Sequence, residues 1–358
     1  MVLFRLLKDV KKSFAKTRSK NCNIKTKTPC SSGGFSVYLE SMKTRLITSG
    51  VYLAIILAML LLREWTPFLF DPFIIVLAWW ASFELMKAKK FEEKGVRDYY
   101  FYPYIVLSYF IFLMGILIAT PFAWWLHIVM QIILIGCVAF YVYMMSFTDK
   151  DLAKRCKMQK LDHGKECRMV VARYLYVMLY PILMMFTLIV LNHIDRWAIT
   201  EAGNPAGLAR FALLLVFVIT MMTDSLAYVV GRIFGGKKLV PNISPNKTWS
   251  GAIGGLFGGV LGALIVLFGA SAYGNLAEYL TESIGYATAV IIFFTVVGLL
   301  GSIATQAGDI YASHIKRKAG IKDYGTVLPG HGGVLDRIDG LIFNSVFIFF
   351  TMMLILII

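Results

Sequence analysis

The sequence predicts an all-α, polytopic membrane protein with about nine transmembrane helices and a cytoplasmic N-terminus. Of its 358 residues, 58% are hydrophobic and only 16% are charged, and the mean hydropathy is +0.70. A soluble domain of this length cannot bury that much apolar surface. The apolar residues form continuous runs that approach the roughly 20 residues needed to cross a bilayer. Continuous runs also exclude a membrane β-barrel, whose strands alternate between apolar and polar residues.

The chain is predicted to have three regions. Residues 1–44 form a basic tail in which apolar side chains alternate with lysine and arginine. This pattern is typical of an amphipathic helix on an anionic membrane surface, and a partly disordered basic tail fits it equally well. Residues 45–200 hold the first transmembrane helices. Residues 201–358 hold the later ones, with two polar, glycine-rich loops at 231–250 and 308–340.

Apolar runs set the positions of the nine spans. We place them at 46–62, 68–86, 102–119, 122–146, 170–191, 208–228, 251–272, 287–305 and 341–358. In the seventh span, glycines recur every four residues in two rows, 251–255–259 and 254–258–262. Such rows allow helix backbones to approach closely, so we predict a packing role for them and no chemistry.

Loop charge predicts the orientation. Lysine and arginine are concentrated in the N-terminal tail and in the loops after spans two, four, six and eight, whereas the intervening loops are poor in both. Positively charged loops remain on the cytoplasmic side, so both polar loops are expected to face the cytoplasm. The net charge of +15 is explained by this rule and by anionic lipids or substrates, and we expect no nucleic-acid partner.

The most unusual stretch is the polar segment 308–339, which lies between two apolar spans. It contains four aspartates, three lysines, two arginines, two histidines and six glycines. Ionisable groups next to membrane spans are costly and therefore indicate a functional site.

Three carboxylates in this segment are candidates for metal binding. Asp336 and Asp339 are three residues apart and share a helix face at the start of span nine, and Asp309 is predicted at the end of span eight. Helices joined by one loop have neighbouring ends, so the three could converge and bind Mg²⁺ or Ca²⁺ through oxygen ligands. An ion-pair network with Arg337, Lys316 and Arg317 explains the same spacing equally well.

A second feature of the segment is a glycine turn that leads into a helix, His331-Gly332-Gly333. Exposed backbone N–H groups at a helix start form an anion site. Lys316, Arg317 and Lys322 could neutralise phosphates nearby. Carboxylates for a metal, cations and exposed amides together are what phosphoryl or nucleotidyl transfer requires.

The other polar loop, together with the end of the span before it, adds four candidates. Asp224 lies late in span six, where an ionisable group is a functional candidate. Ser244, Lys247 and Thr248 follow in the loop and could contact a phosphate or a base. A solvated connector with a charged anchor explains these three equally well.

The motifs of both loops resemble a known family. The ordered series Ser313-x-x-Lys316-Arg317-x₄-Lys322-Asp323-x-Gly325-x₃-Pro329-x-His331-Gly332-Gly333-x-x-Asp336-Arg337-x-Asp339 is similar to the signature of phosphatidate cytidylyltransferases, the CDP-diacylglycerol synthases. The stretch from Thr223 to Gly255, with SPNKTWSGAIGG, resembles the second hallmark of that family. The Phe83-Glu84 end of span two is similar more weakly, and we assign Glu84 no role.

The resemblance implies a reaction, a cofactor and site residues. Phosphatidate would attack the α-phosphorus of CTP, giving CDP-diacylglycerol and pyrophosphate, with Mg²⁺ required, a monovalent cation such as K⁺ beside it, and a homodimer as the assembly. The implied metal ligands are Asp309, Asp336 and Asp339. The implied catalytic residues are Lys322, Asp323, His331 and Arg337. The implied substrate-binding residues are Asp224, Ser244, Lys247, Thr248, Ser313, Lys316, Arg317, Gly332 and Gly333.

Two positions depart from the usual hallmark, since Asn246 and Ser250 stand where the family has a lysine and an acid. Two other functions remain as alternatives: a CTP-dependent lipid-alcohol kinase of the polyprenol type, and an ion-coupled transporter. We expect an integral multi-pass protein of the bacterial inner membrane with a cytoplasmic active site, although an endoplasmic reticulum protein also fits the sequence.

Overall fold

The computed structural model describes residues 54–88, 107, 123–196, 207–270, 281, 286–325 and 332–357, and most of them are helical. The α-helices are α1 (Ala54–Arg63), α2 (Asp71–Lys87), α3 (Ala123–Thr148), α4 (Lys150–Gln159), α5 (His163–Val177), α6 (Met184–Asn192), α7 (Leu208–Phe234), α8 (Trp249–Ala270), α9 (Ala287–Ala319) and α10 (Leu335–Ile357). Short 3₁₀ turns at Pro67–Leu69 and Ile194–Arg196 and an irregular helical segment at Met178–Leu183 join some of them.

The structure confirms a polytopic helical membrane protein. Seven helical segments of the described chain are long and apolar enough to cross a bilayer: Pro67–Lys87, Val129–Thr148, His163–Asn192, Leu208–Phe234, Trp249–Gly269, Ala287–Ala319 and Leu335–Leu356. The predicted first span is described only from Ala54, and the predicted third span lies outside the described residues except for Leu107. The total of nine spans and the orientation therefore stay predictions, as does the structure of the tail at residues 1–44.

The prediction that residues 231–250 form an irregular loop was wrong in part. Helix α7 continues to Phe234, and a small antiparallel hairpin follows, with β1 at Lys238–Val240 and β2 at Ser244–Thr248. Polar residues form strands here because each backbone finds hydrogen-bond partners in the other strand. The hairpin leads directly into α8, so its position is tied to that helix.

The boundaries predicted for the polar segment 308–340 were also wrong. Helix α9 does not end near residue 305 but continues to Ala319, and Gly320 ends it with a φ of +74°. Asp309 therefore lies ten residues inside a helix. The hydropathy of the sequence falls at this point because polar groups replace apolar ones, but a helix can continue where those groups meet protein or water instead of lipid.

The predicted packing role of the glycines in α8 is confirmed. One row of these glycines faces α7, and a Cβ atom on Gly258 would overlap the carbonyl oxygen of Met222. In the other row, Gly251 also meets α7, whereas Gly255 and Gly259 face α9, where the Ser302 hydroxyl donates to the carbonyl oxygen of Gly255 at 2.9 Å. Helix α8 thus lies in direct backbone contact with both neighbours, and the three helices form a tight unit that carries Asp224 and Asp309.

A buried polar cluster joins the start of α2 to the ends of α1 and α6. Asp71, at the start of α2, is fully buried and lies 2.9 Å from His193 Nε2 and 3.0 Å from the Asn192 amide. Arg63 of α1 donates to Asn192 Oδ1 at 2.8 Å and to Asp195 at 3.3 Å. These contacts hold α1, α2 and α6 together. The cluster lies at the start of α2, 13 residues before Glu84, which is a distance of about 20 Å along the helix.

Candidate active site

The site is built where α9 crosses α10. Gly308 of α9 is buried against α10, and a Cβ atom there would lie 2.5 Å from the carbonyl oxygen of Asp339. This close approach places Asp309, the next residue of α9, beside Asp339. The Asp339 residue is only 8% exposed, and its Oδ1 accepts the N–H of Gly340 at 2.8 Å.

Three carboxylates from three helices interact at this crossing. Asp339 lies within electrostatic range of Asp309, Asp224 and Lys316. Asp224, on α7, interacts in turn with Asp309, Lys247 and Arg337. The sequence predicted that Asp309 and Asp339 converge together with Asp336, whereas the approach of Asp224 depends on the packing of α7 against α8 and α9.

Lys247, from the hairpin, reaches this cluster of three carboxylates. The Nζ atom of Lys247, on β2, lies 2.6 Å from Asp309 Oδ2, and both side chains are partly exposed. This ion pair joins the hairpin to α9 and leaves one face of the carboxylate open to solvent.

Asp336 has different partners from Asp339, although both lie in the first turns of α10. Its Oδ1 accepts from Lys316 Nζ at 2.7 Å, and its Oδ2 accepts the backbone N–H groups of Tyr324 and Gly333, each at 2.9 Å. Both oxygens are therefore engaged, and the side chain is 4% exposed. The carboxylate spacing predicted either a metal site or an ion-pair network, and for Asp336 the structure shows the ion-pair network.

The predicted three-carboxylate metal site is not assembled as such. Within the described ranges, no group of three or more His, Cys, Asp or Glu residues is close enough to hold an ion together. Asp309 and Asp339 adjoin each other, but Asp336 is turned to Lys316 and the glycine turn. The donor chemistry of Asp309, Asp339 and Asp224 nevertheless suits a hard divalent cation, because all are carboxylates that repel one another without one.

The glycine turn leads into a helix as its sequence predicts, but the prediction that its backbone N–H groups form an exposed anion site was wrong for Gly333, Val334 and Leu335, which donate to protein carboxylates. Gly332 has a φ of +85°, a conformation that favours glycine, and a Cβ atom there would lie 2.8 Å from Asp336 Oδ2. The Gly333 N–H is donated to Asp336 rather than to an open anion site. His331, a predicted catalytic residue, lies outside the described residues.

Tyr324 is a site residue that the sequence did not indicate. Its hydroxyl donates to the carbonyl oxygen of Ala312 at 3.0 Å, and Lys316 Nζ lies 5.5 Å from the centre of its ring. Burial, together with the charges of Asp336 and Asp339, raises the pKa of the Tyr324 hydroxyl above its usual value. Tyr324 therefore stays neutral and packs beneath the Lys316 ammonium group.

The remaining predicted residues of the polar segment lie around this core. Lys322 and Asp323 are exposed in the segment after α9, and Arg337 is exposed on the first turn of α10. Arg317 instead donates to the carbonyl oxygen of Ile243 at 3.1 Å and joins α9 to the hairpin turn. Ser313 is buried within α9.

The hydroxyl residues of the second loop have separate roles. Thr248 is buried, and its Oγ1 accepts the N–H of Gly251 at 3.1 Å, so it caps the start of α8. Ser250, one of the departures from the hallmark, donates to the carbonyl oxygen of Gly235 and also lies 3.1 Å from Thr248 Oγ1. Ser244 is half-buried opposite Val240 in the hairpin, and Asn246, the other departure, is exposed on β2.

Glu84 is the second residue that the sequence reasoning missed. It lies near the end of α2 and is 3% exposed. Its Oε1 accepts the N–H of Val334 at 2.9 Å, and its Oε2 accepts the N–H of Leu335 at 2.9 Å. The available signal was a carboxylate inside a predicted membrane span, which is a functional candidate wherever it occurs.

Residues 43–355 match the cytidylyltransferase family, which covers most of the chain. A similar curated protein is the phosphatidate cytidylyltransferase of Brucella abortus biovar 1 (strain 9-941), 43% identical over 145 residues, or 40% of this chain and 47% of the relative. Phosphatidate cytidylyltransferases of Rickettsia felis and Rickettsia bellii are 35% and 34% identical over 145 and 149 residues, covering 40% and 42% of this chain and 60% of each relative.

The chain thus matches about half the length of these curated relatives. The family match extends well beyond that aligned part and includes every helix of the crossing described above. By its sequence from residue 43 to residue 355, the chain belongs to the cytidylyltransferase family.

Proposed function

We propose that this protein is a phosphatidate cytidylyltransferase of phospholipid biosynthesis. An oxygen of the phosphatidate phosphate attacks the α-phosphorus of CTP, and the bond between that phosphorus and the bridging oxygen of the β-phosphate breaks. The products are CDP-diacylglycerol and pyrophosphate. The observation that carries the proposal is the convergence of Asp224, Asp309 and Asp339 with lysines of both polar segments. The names of the similar curated proteins support it.

The cations of the site have a direct use in this reaction. Lys247, Lys316 and Arg337 come from the hairpin, α9 and α10, and each lies near a carboxylate of the site. A triphosphate and a lipid phosphate repel each other strongly, and fixed positive charges between them lower that repulsion. We assign Arg337 to phosphate contacts because it is exposed, and Lys247 because its ammonium group lies beside Asp309, while Lys316 also holds Asp336 in place.

A divalent cation, which we expect to be Mg²⁺, would be held by Asp309 and Asp339, with Asp224 beside them. When bound, it supplies charge neutralisation for the triphosphate and the departing pyrophosphate. Asp336, predicted as a third ligand, would need to release Lys316 to join the set. A neighbouring monovalent cation such as K⁺, a homodimer and a position in the bacterial inner membrane with the site facing the cytoplasm belong to the same proposal.

The decisive test is incorporation of α-phosphorus-labelled CTP into lipid by the purified protein in mixed micelles containing phosphatidate. We expect labelled CDP-diacylglycerol, equimolar pyrophosphate, no product with EDTA and recovery with excess Mg²⁺. Replacing phosphatidate with diacylglycerol removes the attacking phosphate and serves as the control. Labelled lipid that forms equally well with EDTA would contradict the metal assignment.

The same assay separates the alternatives. A lipid-alcohol kinase would release CDP and transfer the γ-phosphate to an alcohol such as a polyprenol. An ion-coupled transporter would move solute across a liposome membrane without consuming CTP. Release of CDP in place of pyrophosphate, or flux without nucleotide turnover, would overturn the proposed function.

A further inference from the structure

We infer that Glu84 of α2 is a positioning residue that holds the first turn of α10, and with it Asp336 and Asp339, in the geometry that the reaction needs. The kinetic effect of Glu84 rests on the proposed function, whereas the contact itself is independent of that function. Glu84 is separated from Leu335 by 251 residues and belongs to the N-terminal half of the chain.

The contact satisfies backbone groups that the helix cannot satisfy itself. The first N–H groups of a helix have no partner within it, and an anion near them is stabilised by the helix dipole. Here the two carboxylate oxygens each accept one such N–H, from Val334 and from Leu335, both at 2.9 Å. The Trp80 side chain, one turn earlier on α2, hydrogen-bonds the same carboxylate.

The surrounding backbone encloses the carboxylate closely. A Cβ atom on Gly325 would lie 2.7 Å from Glu84 Oε1, and a Cβ atom on Gly333 would overlap the carboxylate itself. Gly325 and Gly333 therefore stand on either side of Glu84, before and after residues 326–331. Glycine is needed at both positions because the carboxylate occupies the space of a side chain.

The enclosure argues against a direct chemical role. Glu84 is 3% exposed, and both of its oxygens are engaged by N–H donors. A general base or a metal ligand needs a free lone pair directed to the reacting atoms. Glu84 can instead fix the rotation of α10 about its axis and its position along that axis. The first five residues of α10 include Asp336, Arg337 and Asp339.

Glu84→Gln is the first test because it keeps the shape of the side chain. The amide has one oxygen, so it can accept only one of the two N–H groups, and its NH₂ group faces the other donor. Supporting contacts behind metal ligands typically contribute 10- to 100-fold to affinity or activity. We expect kcat to fall by about that factor and the half-saturating Mg²⁺ concentration to rise, while KM for phosphatidate changes little.

Ser82→Ala is the matched control, since Ser82 is also buried on α2 but its hydroxyl bonds only to the carbonyl oxygen of Ala78 in the same helix. It should leave kcat and the Mg²⁺ dependence unchanged. If Glu84→Gln lowers only the melting temperature and leaves both kinetic quantities at the wild-type values, Glu84 is merely structural and the inference is wrong.

A double-mutant cycle tests the contact without using activity. Gly333→Ala should lower the melting temperature in wild type, because the methyl group meets the carboxylate, and should have little further effect in Glu84→Ala. Additive effects would disprove the contact. Absence of CDP-diacylglycerol synthesis by the wild-type protein would instead refute the proposed function, and the cycle would still report on Glu84.

Discussion

Two aspartates three residues apart on one helix turn have different surroundings. Asp339 lies at the crossing with α9 and has carboxylate neighbours, whereas Asp336 is saturated by Lys316 and two backbone N–H groups. Neutralising Asp339 and neutralising Asp336 should therefore have different effects on activity and stability. The carboxylate near other carboxylates is suited to a cation, and the paired carboxylate is suited to hold structure.

At this scale we predict that Asp339→Asn and Asp336→Asn fail in different ways. Asp339→Asn should lower CDP-diacylglycerol synthesis by a factor of about 100 or more, as expected when a preorganised charge contact of the transition state is lost, and should retain the melting temperature. Asp336→Asn removes the partner of Lys316, whose side chain is only 12% exposed, so it should clearly lower the melting temperature, because an unpaired charge that is mostly buried is costly. Thermal unfolding in detergent and initial rates distinguish them.

The opposite pattern, with Asp339→Asn unstable but active and Asp336→Asn stable but inactive, would reverse the two assignments. Asp323→Asn is a useful companion, because Asp323 is exposed and no ion pair to it is found among the described residues. Its melting temperature should match that of wild type.

The residue types of the site, and an ion-pair network that includes Lys316 as one alternative, could be predicted from the sequence, but which carboxylate each lysine pairs with could not. Aspartates and lysines in the polar segment indicated metal and phosphate chemistry because such groups are costly near a membrane. The pairs Lys316–Asp336 and Lys247–Asp309 join separate elements, and neither pairing follows from local spacing. Glu84 was missed for the same reason, since its donors lie 250 and 251 residues away.

At the scale of elements, the apolar runs predicted most described spans closely, but they ended α9 about fourteen residues too early. Hydropathy measures compatibility with lipid, and α9 after residue 305 is partly buried against protein and partly exposed. The hairpin was missed because its strands are short and its residues polar. The glycine rows of α8 were interpreted correctly because close packing follows directly from the absence of a side chain.

We predict that Gly258→Ala destabilises the protein. Its methyl group would overlap the Met222 carbonyl oxygen on α7, and forced overpacking of this kind costs about 1–3 kcal/mol. Gly136→Ala on α3 is the matched control, because a Cβ atom there has no atom within 4 Å and alanine favours a helix. The melting temperature in detergent should fall for Gly258→Ala and stay the same or rise for Gly136→Ala. Equal melting temperatures would contradict the tight unit of α7, α8 and α9.

For the whole molecule, the two ends of α2 have separate tasks. One end carries Glu84 and the candidate site, and the other carries Asp71 in a fully buried polar cluster. The two ends are about 20 Å apart along the helix. Stability and activity should therefore respond separately to changes at each end.

We predict that Asp71→Ala lowers stability without changing the kinetics of the folded enzyme. Removing one partner of a buried polar pair typically costs about 3–5 kcal/mol, since His193 and Asn192 would lose their acceptor. Glu64→Gln, which affects a partly exposed ion pair with Arg210 at the same end, should cost no more than about 1 kcal/mol. Urea or thermal unfolding in detergent gives the stabilities, and rates at 25 °C give kcat and KM. A loss of kcat in Asp71→Ala under folding conditions would show that the two ends are coupled.

The length of α9 has a consequence for how a lipid and a nucleotide can meet. Asp309 lies ten residues before the end of the helix, so it is about 15 Å below that end at 1.5 Å per residue. That is roughly the depth at which headgroups give way to acyl chains when the end of α9 projects into the aqueous phase. If the proposed reaction is correct, the lipid presents its phosphate from within its own leaflet while its acyl chains stay in the hydrocarbon region, and only the water-soluble nucleotide has to diffuse to the site.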